Sequence, residues 1–245
     1  MAMFSAYFDA SGHPGQGGAL TVAGYVSRVA KWKRFDVGWK AILDRENVSQ
    51  FHMTDFASSF GEYCEWRGQT ERRKTFTADL FQCIKKNTNK AFRTTVILAD
   101  YIKADRQWCL KESIGTPYAL CSCICLHHLE LWAGKRDAIN NVLCFFEDGD
   151  KDKGDFQARA YFYSTICPEF LSKKNCSAFQ AADLAGWKAR IATQNAVRNP
   201  SDPNGGKNRL RSVQQMRGVP SRGSAGIFDY DELVKFCITR EVPRR

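Results

Sequence analysis

The feature that most constrains the fold is the segment at residues 141–146, Asn-Val-Leu-Cys-Phe-Phe, which is apolar after its first residue. A short run without alternating polar positions is typical of a strand that is buried on both faces of a sheet. Such a strand is covered by helices, and segments with helical spacing lie before and after it in the sequence. The order of segments therefore predicts an α/β fold, with a central mixed β-sheet flanked by helices.

The remaining segments fit this architecture as one domain over residues 1–245. Residues 3–9 and 19–26 read as an antiparallel opening pair of strands, because turn-forming residues separate them. Residues 227–238 return to an amphipathic pattern and are expected to pack on the domain. Further predicted elements are a short strand at 50–53, a strand at 91–98, and helices at 32–44, 70–86, 115–132 and 179–193.

Residues 199–224 differ in composition from the rest of the chain. The segment is rich in Gly, Pro, Ser, Asn and Arg and nearly lacks apolar residues, which predicts a mobile basic loop within the domain. The formal net charge is +10, which favours a polyanionic partner. The alternative is a solvated surface loop without a partner. The candidate nucleic-acid contacts are Arg198, Lys207, Arg209, Arg211, Arg217 and Arg222.

Composition and cysteine usage narrow the class of protein. No apolar run reaches the roughly 18 residues that span a bilayer, and the N-terminus lacks a signal-peptide pattern, so we expect a cytoplasmic protein. The ten cysteines are expected to serve as small core residues. A zinc site is the alternative, because Cys121, Cys125 and His128 could share one helical face.

Three acidic residues occupy positions that suit a metal site. Asp9 ends the first strand, Glu147 ends the strand at 141–146, and Asp183 lies on a helix of small residues. Strand ends meet at the rim of a sheet, and a helix lined with Ala and Gly can approach it closely. Crowded carboxylates favour a bound cation, and hard oxygen ligands suit Mg²⁺ or Mn²⁺. Two such ions could clamp a phosphodiester during hydrolysis.

Each acid alone has a simpler interpretation. An acid at a strand end is usually a turn former or a helix cap. The spacing Asp148-x-Asp150-x-Asp152 also resembles a calcium loop. That pattern fails in detail, because Gly154 falls one place late and Arg159 stands where the loop needs Glu. The three acids are therefore persuasive only as an ordered set.

Four motifs in the sequence resemble one known family. They are Tyr7-Phe8-Asp9-Ala10-Ser11-Gly12, Phe51-His52-Met53-Thr54-Asp55-Phe56, Phe145-Phe146-Glu147-Asp148 and Phe179-Gln180-Ala181-Ala182-Asp183-Leu184-Ala185-Gly186. The chain resembles the family named domain of unknown function 3800. The resemblance extends from about residue 4 to about residue 190. Members of that family are similar to the RNase H superfamily, and nearest in layout to Holliday-junction resolvases. The resemblance therefore implies an RNase H-like fold.

The resemblance also implies roles for individual residues. Asp9, Glu147 and Asp183 would be catalytic metal ligands, with Asp148 as a rival for the place of Glu147. The residues expected to border or support these ligands are Ser11, His52, Asp55 and Gln180. One departure is Ala10, where the family usually has Glu. Neighbours on a strand point to opposite faces, so position 10 need not be a ligand when position 9 is one.

These observations predict a metal-dependent nuclease that hydrolyses phosphodiester bonds in DNA or RNA by a two-metal carboxylate mechanism. The alternative, motivated by Ala10, is an eroded module that binds nucleic acid or a nucleotide without cleaving it. Either protein could belong to a mobile element or an antiphage system with an unknown protein partner. Trp66 and Trp108 could stack on bases, although core packing is the more common use of such residues.

Overall fold

A computed structural model describes residues 3–13, 18–174, 176–198 and 224–245. Its centre is a six-stranded sheet in the order β5-β4-β1-β2-β3-β6. The strands are β1 (Phe4–Ser11), β2 (Ala19–Arg28), β3 (Lys90–Ile97), β4 (Val142–Glu147), β5 (Pro168–Leu171) and β6 (Ser224–Phe228).

Strand pairing makes the sheet mixed. β1 and β2 are antiparallel, with Phe4 opposite Arg28 and Ser11 opposite Thr21, which confirms the predicted opening pair. β2 and β3 are also antiparallel, whereas β4 runs parallel to β1 and to β5, and β6 runs parallel to β3. β4 thus lies inside the sheet, but the expectation that both of its faces are buried is wrong: Val142, Cys144 and Phe146 are buried, whereas Leu143 on the other face is exposed. The parallel strands β1, β4 and β5 end at the same edge.

Helices cover both faces of the sheet, so the predicted α/β class with a flanked mixed sheet is confirmed. Two long helices lie directly on the sheet, α6 on one face and α8 on the other. The helices are α1 (Val29–Arg45), α2 (Met53–Ser58), α3 (Thr70–Asn87), α4 (Leu98–Asp105), α5 (Leu110–Ile114), α6 (Pro117–Gly134), α7 (Lys153–Ala160), α8 (Ser177–Arg198) and α9 (Tyr230–Thr239).

The side chains of β1 alternate between the two faces. Phe4, Ala6 and Phe8 belong to the apolar cluster beneath α6. Tyr7 packs into the second cluster, which contains α1, α3 and α8. Because strand side chains alternate with a period of two, Asp9 follows Tyr7 onto the α8 face. The alternation therefore places Asp9, the first predicted acid, on the face that α8 covers.

The predicted strand at 50–53 is wrong. Residues 50–52 form no strand, and Met53 begins α2. The backbone N–H groups of Phe51 and Met53 donate to the side chains of Gln180 and Asp183 instead of to a neighbouring strand. Side chains of α8 thus satisfy the donors that a sheet ladder would use.

Other elements were absent from the prediction, among them α4, α5, α7 and β5. β5 has only four residues, and its pattern of alternate exposure is too short to stand out from a loop. The predicted basic loop at 199–224 lies outside the described residues except for Ser224, which begins β6. The single-domain boundary at 1–245 stays a prediction.

Six of the ten cysteines and both tryptophans fit the core interpretation, whereas Cys64 and Cys167 are exposed. All ten cysteines are free, and Cys121 and Cys125 are fully buried in α6. Cys125 donates to the carbonyl of Val22, and burial raises the pKa of its thiol to about 12. Trp66 and Trp108 are buried. No helix in the described part of the chain is long and apolar enough to cross a membrane.

Candidate functional site

Asp9 and Asp183 meet at the edge where the parallel strands end. Asp9 is 4% exposed and Asp183 is 5% exposed, so both carboxylates are taken out of bulk water. The ammonium group of Lys173, which follows β5, lies 3.2 Å from Oδ2 of Asp9 and 3.9 Å from Oδ2 of Asp183. One cation thus contacts both carboxylates, and the two acids most firmly expected to be close together are close.

Small residues let α8 approach the sheet at this point. Ala181, Ala182 and Ala185 are buried, and a Cβ placed on Gly186 would lie 3.3 Å from the Cβ of Ser11. A larger side chain at position 186 would push the helix away from β1. The small-residue face of α8 therefore brings Asp183 to the end of β1.

Glu147 lies beside Asp9 in the sheet. The parallel register pairs Tyr7 with Phe145 and Phe8 with Phe146, so Asp9 and Glu147 are the next residues of the two strands. Both follow aromatic residues that stack on the same face, Tyr7 and Phe145. The carboxylate of Glu147 accepts the N–H of Gly149 at 2.7 Å, which folds it toward its own loop.

Asp148, the rival for the place of Glu147, is exposed and forms an ion pair with Lys153. The Lys153 ammonium also lies over the ring of Phe170, which packs against the cluster beneath α6. The geometry therefore favours Glu147 over Asp148 as the partner of Asp9.

The segment before α2 is hydrogen-bonded to side chains of α8. Oε1 of Gln180 accepts hydrogen bonds from Trp39 Nε1 at 2.8 Å and from the Phe51 N–H at 3.0 Å. The Met53 N–H donates to Oδ2 of Asp183 at 2.9 Å. Gln180 therefore holds the segment before α2 in place, and the Met53 N–H of that segment reaches Asp183.

His52 sits between Asp55 and Asp183 as a result. Its Nδ1 lies 3.0 Å from Oδ2 of Asp55, and its Nε2 lies 3.9 Å from Oδ2 of Asp183. His52 and Asp55 thus lie beside Asp183, and their part in a metal site stays a prediction. An imidazole held by a second carboxylate is a common way to orient a ring near a metal site.

The site has an excess of buried negative charge. Burial raises the pKa of Asp9 to about 7, with Lys173 opposing the rise and Asp183 and Glu147 adding to it. Burial likewise raises the pKa of Asp150 to about 7, with Glu147 adding to it. The carboxylates around it raise the pKa of Lys173 against its own burial, so this lysine is charged. A further cation would stabilise the ionised carboxylates.

Lys173 and Asp150 were not expected in the site. Lys173 lies in the polar run Ser-Lys-Lys-Asn, which reads as a solvated loop, and it reaches the site only because the short strand β5 precedes it. In the sequence, Asp150 belongs only to the spacing that resembles a calcium loop. A signal existed for Asp150, since it follows an apolar strand by three residues, but nothing in the sequence marked Lys173.

Ala10 and Ser11 point in different directions. Ala10 packs against the cluster beneath α6, on the face opposite Asp9. The side chain of an acid at position 10 would therefore point away from Asp183. Ser11 returns to the α8 face, where its Oγ accepts a hydrogen bond from Arg190 Nε at 3.1 Å.

The donors at this edge fit a hard divalent cation in chemistry. Asp9 and Asp183 offer buried carboxylate oxygens, and Glu147 lies on the adjacent strand. Within the described residues, no three His, Cys, Asp or Glu side chains stand in a ready-made ligand arrangement, and this includes the predicted zinc group. Of the predicted basic contacts, Arg198 is exposed at the end of α8, and the others lie outside the described residues.

No protein-family model matches the chain, so membership of the family that its motifs resemble stays a prediction. No curated protein matches it either. The fold is similar to the solved ribonuclease H2 from Pyrococcus horikoshii OT3, with 16% identity, 88% of this chain and 89% of that chain covered, and a TM-score of 0.41.

It is also similar to a chain in the complex of PCNA and RNase HII from Archaeoglobus fulgidus. The identity is 14%, the coverage is 87% of each chain, and the TM-score is 0.41. Likeness at these identities concerns the fold alone, and the roles of the site residues depend on their own geometry and chemistry.

Proposed function

We propose that this chain is a divalent-metal-dependent nuclease that hydrolyses phosphodiester bonds in DNA or RNA. The observation that carries the proposal is the convergence of two buried carboxylates, Asp9 and Asp183, at the sheet edge where Glu147 also ends its strand. Burying two acids together is unfavourable unless cations compensate them. The net charge of +10 suits a polyanionic substrate.

In this proposal Asp9, Asp183 and Glu147 hold Mg²⁺ or Mn²⁺, as two ions. The bound ions would activate water and stabilise the leaving oxygen. The chain supplies the rest of the environment: Lys173 offsets part of the carboxylate charge, and Gln180 fixes the segment that carries His52. No side-chain nucleophile is needed for such a hydrolysis.

The test compares Asp9→Asn and Asp183→Asn with Asp44→Asn, an exposed acid on α1. Asparagine is chosen because its carbonyl can still accept the Met53 N–H at position 183. Each protein is incubated with labelled DNA and RNA, single- and double-stranded, in Mg²⁺, in Mn²⁺ and in chelator. We expect cleavage by the wild type that needs metal, and a loss of about 100-fold or more in both site variants.

The control variant should cleave like the wild type, and circular dichroism should show all three variants folded. Metal-dependent cleavage that survives unchanged in both Asp9→Asn and Asp183→Asn would contradict the assignment. So would cleavage that persists in chelator.

A binding module without nuclease activity is the second candidate. The observation that favours it is the Lys173 ammonium, which already contacts both carboxylates and so could replace a metal ion. Calorimetric titration with Mn²⁺ separates the candidates without an activity assay. The nuclease should bind Mn²⁺ and lose this binding in Asp9→Asn, whereas the module should bind nucleic acid in chelator and take up no Mn²⁺.

A further inference from the structure

Arg190 is a partly buried arginine on the same helix face as Asp183. Seven residues separate the two, so their side chains leave α8 in nearly the same direction, two turns or roughly 10 Å apart along the axis. Ser11 stands in the same relation to Asp9 on β1, two residues further along one face of the strand. The polar row of the site therefore continues past the carboxylates to Ser11 and Arg190.

The residues at the end of β1, Ser11 and Gly12, contact this arginine. Ser11 Oγ accepts a hydrogen bond from Nε of Arg190 at 3.1 Å. Gly12 has a φ of +95°, and a Cβ there would lie 2.7 Å from Cδ of Arg190 and 2.5 Å from the carbonyl oxygen of Ala19. The serine thus orients the guanidinium, and the glycine leaves space for its stem.

The guanidinium lacks an acidic partner in the part of the chain that the structure describes. The other basic side chains beside the carboxylates do have acidic partners: Lys173 pairs with Asp9, and His52 lies between Asp55 and Asp183. Burial lowers the pKa of Arg190, and no described carboxylate raises it. A cation that is partly removed from water without a counter-charge is unfavourable, and an anionic ligand would offset this cost.

We propose that Arg190 binds a phosphate of the substrate strand beside the phosphate held at the carboxylates. The inference rests on the proposed nuclease function and specifies how the strand is held. A guanidinium forms two parallel hydrogen bonds to a phosphate, and the bond from Nε to Ser11 leaves the two terminal nitrogens for such a ligand. In this role Ser11 is a positioning residue for Arg190. The absence of a side chain at Gly12 leaves room for the arginine side chain.

The experiment measures binding without catalysis. Labelled 30-nucleotide single- and double-stranded DNA and RNA are titrated with protein in chelator, at several salt concentrations, by fluorescence anisotropy. The variants are Arg190→Gln, which keeps most of the stem, Arg190→Lys, which keeps the charge, and Ser11→Ala. Arg106→Ala, an exposed arginine after α4, is the control for net charge.

We expect Arg190→Gln to weaken binding about 5- to 10-fold and to reduce the slope of log affinity against log salt by about one. Arg190→Lys should keep the slope. Ser11→Ala should also keep the slope and weaken binding about twofold, since the charge remains but is less well oriented. Arg106→Ala should match the wild type.

The inference is overturned if Arg190→Gln matches Arg106→Ala in both affinity and slope while the wild type binds a probe. Failure of the proposed nuclease function is seen separately, as an absence of metal-dependent cleavage by the wild type, and a wild type that binds none of the four probes contradicts the inference as well. Thermal unfolding of each variant shows whether a loss of binding reflects a loss of the fold. If Arg190→Gln is unfolded, Arg190→Lys and Ser11→Ala decide, and a changed slope in either contradicts the proposed role.

Discussion

The helices α6 and α8 cover opposite faces of the same strand and treat them differently. Every residue that α6 buries is uncharged, and its three cysteines are small core groups. α8 is also rich in small residues, but it buries Gln180 and Asp183 among them. The α6 face can be filled by any apolar set of the right volume. On the α8 face, each buried polar group needs a specific hydrogen-bond or ion-pair partner.

Those partners are present on the α8 face. Gln180 and Asp183 accept N–H groups from the segment before α2, and Asp9 accepts the Ala10 N–H at 2.9 Å. Within the described chain, the buried side-chain nitrogen and oxygen atoms without a hydrogen bond are Ser122 Oγ and His128 Nδ1, both on α6. The polar α8 face is therefore the more closely specified of the two, which is typical of a site rather than of packing.

The largest expected effect tests which acid belongs to the α8 face. Glu147→Gln should lower metal-dependent cleavage by about 100-fold, because it removes a charge beside Asp9. Asp148→Asn should change cleavage less than about twofold, because this carboxylate is exposed and pairs with Lys153. Steady-state rates on the best substrate of the four-probe panel measure both. A larger loss in Asp148→Asn than in Glu147→Gln would reverse the assignment.

A charge introduced on the α6 face should affect stability instead. Ala10→Glu introduces an acid beside Asp9, at a position that packs against the apolar cluster beneath α6. We expect a loss of about 1–3 kcal/mol in the free energy of unfolding and no gain in cleavage. Urea titration and the cleavage assay measure the two effects. A rise in activity would show that the strand end bends and that the face argument fails at this position.

The sequence predicted the parts of the site that regular elements place. Asp9 and Glu147 are at ends of strands with clear patterns, and Asp183 is on a helix whose small residues indicate close packing. In each case the period of the element fixes the direction of the side chain, so local pattern was sufficient.

The parts that the sequence did not predict depend on distant or weak elements. Lys173 follows a strand of four residues, and its partner Asp9 is 164 positions away. Arg190 reaches Ser11 across 179 positions. The sequence at residues 50–53 predicts a strand, because nothing local indicates that the N–H groups of Phe51 and Met53 donate to Gln180 and Asp183. Contacts of this kind appear only when the register of the sheet and the position of α8 are known.

The smallest expected effect tests the buried charge of the α8 face through pH. The pKa of Asp9 is raised from 3.8 to about 7, mainly by burial, so the folded chain keeps its proton to higher pH than the unfolded chain does. Between about pH 4 and 7 the folded state binds more protons, and its stability therefore falls as pH rises.

In chelator, we expect the free energy of unfolding of the wild type to fall by about 1–2 kcal/mol more than that of Asp9→Asn between pH 5 and pH 8. Asp150 contributes with the same sign in both proteins, so the difference between the two isolates Asp9. Mg²⁺ at pH 8 should restore the stability of the wild type and not that of the variant, because the ion stabilises the ionised carboxylate. Parallel pH profiles would mean that Lys173 already compensates Asp9 fully, and that the α8 face holds less uncompensated charge than its burial implies.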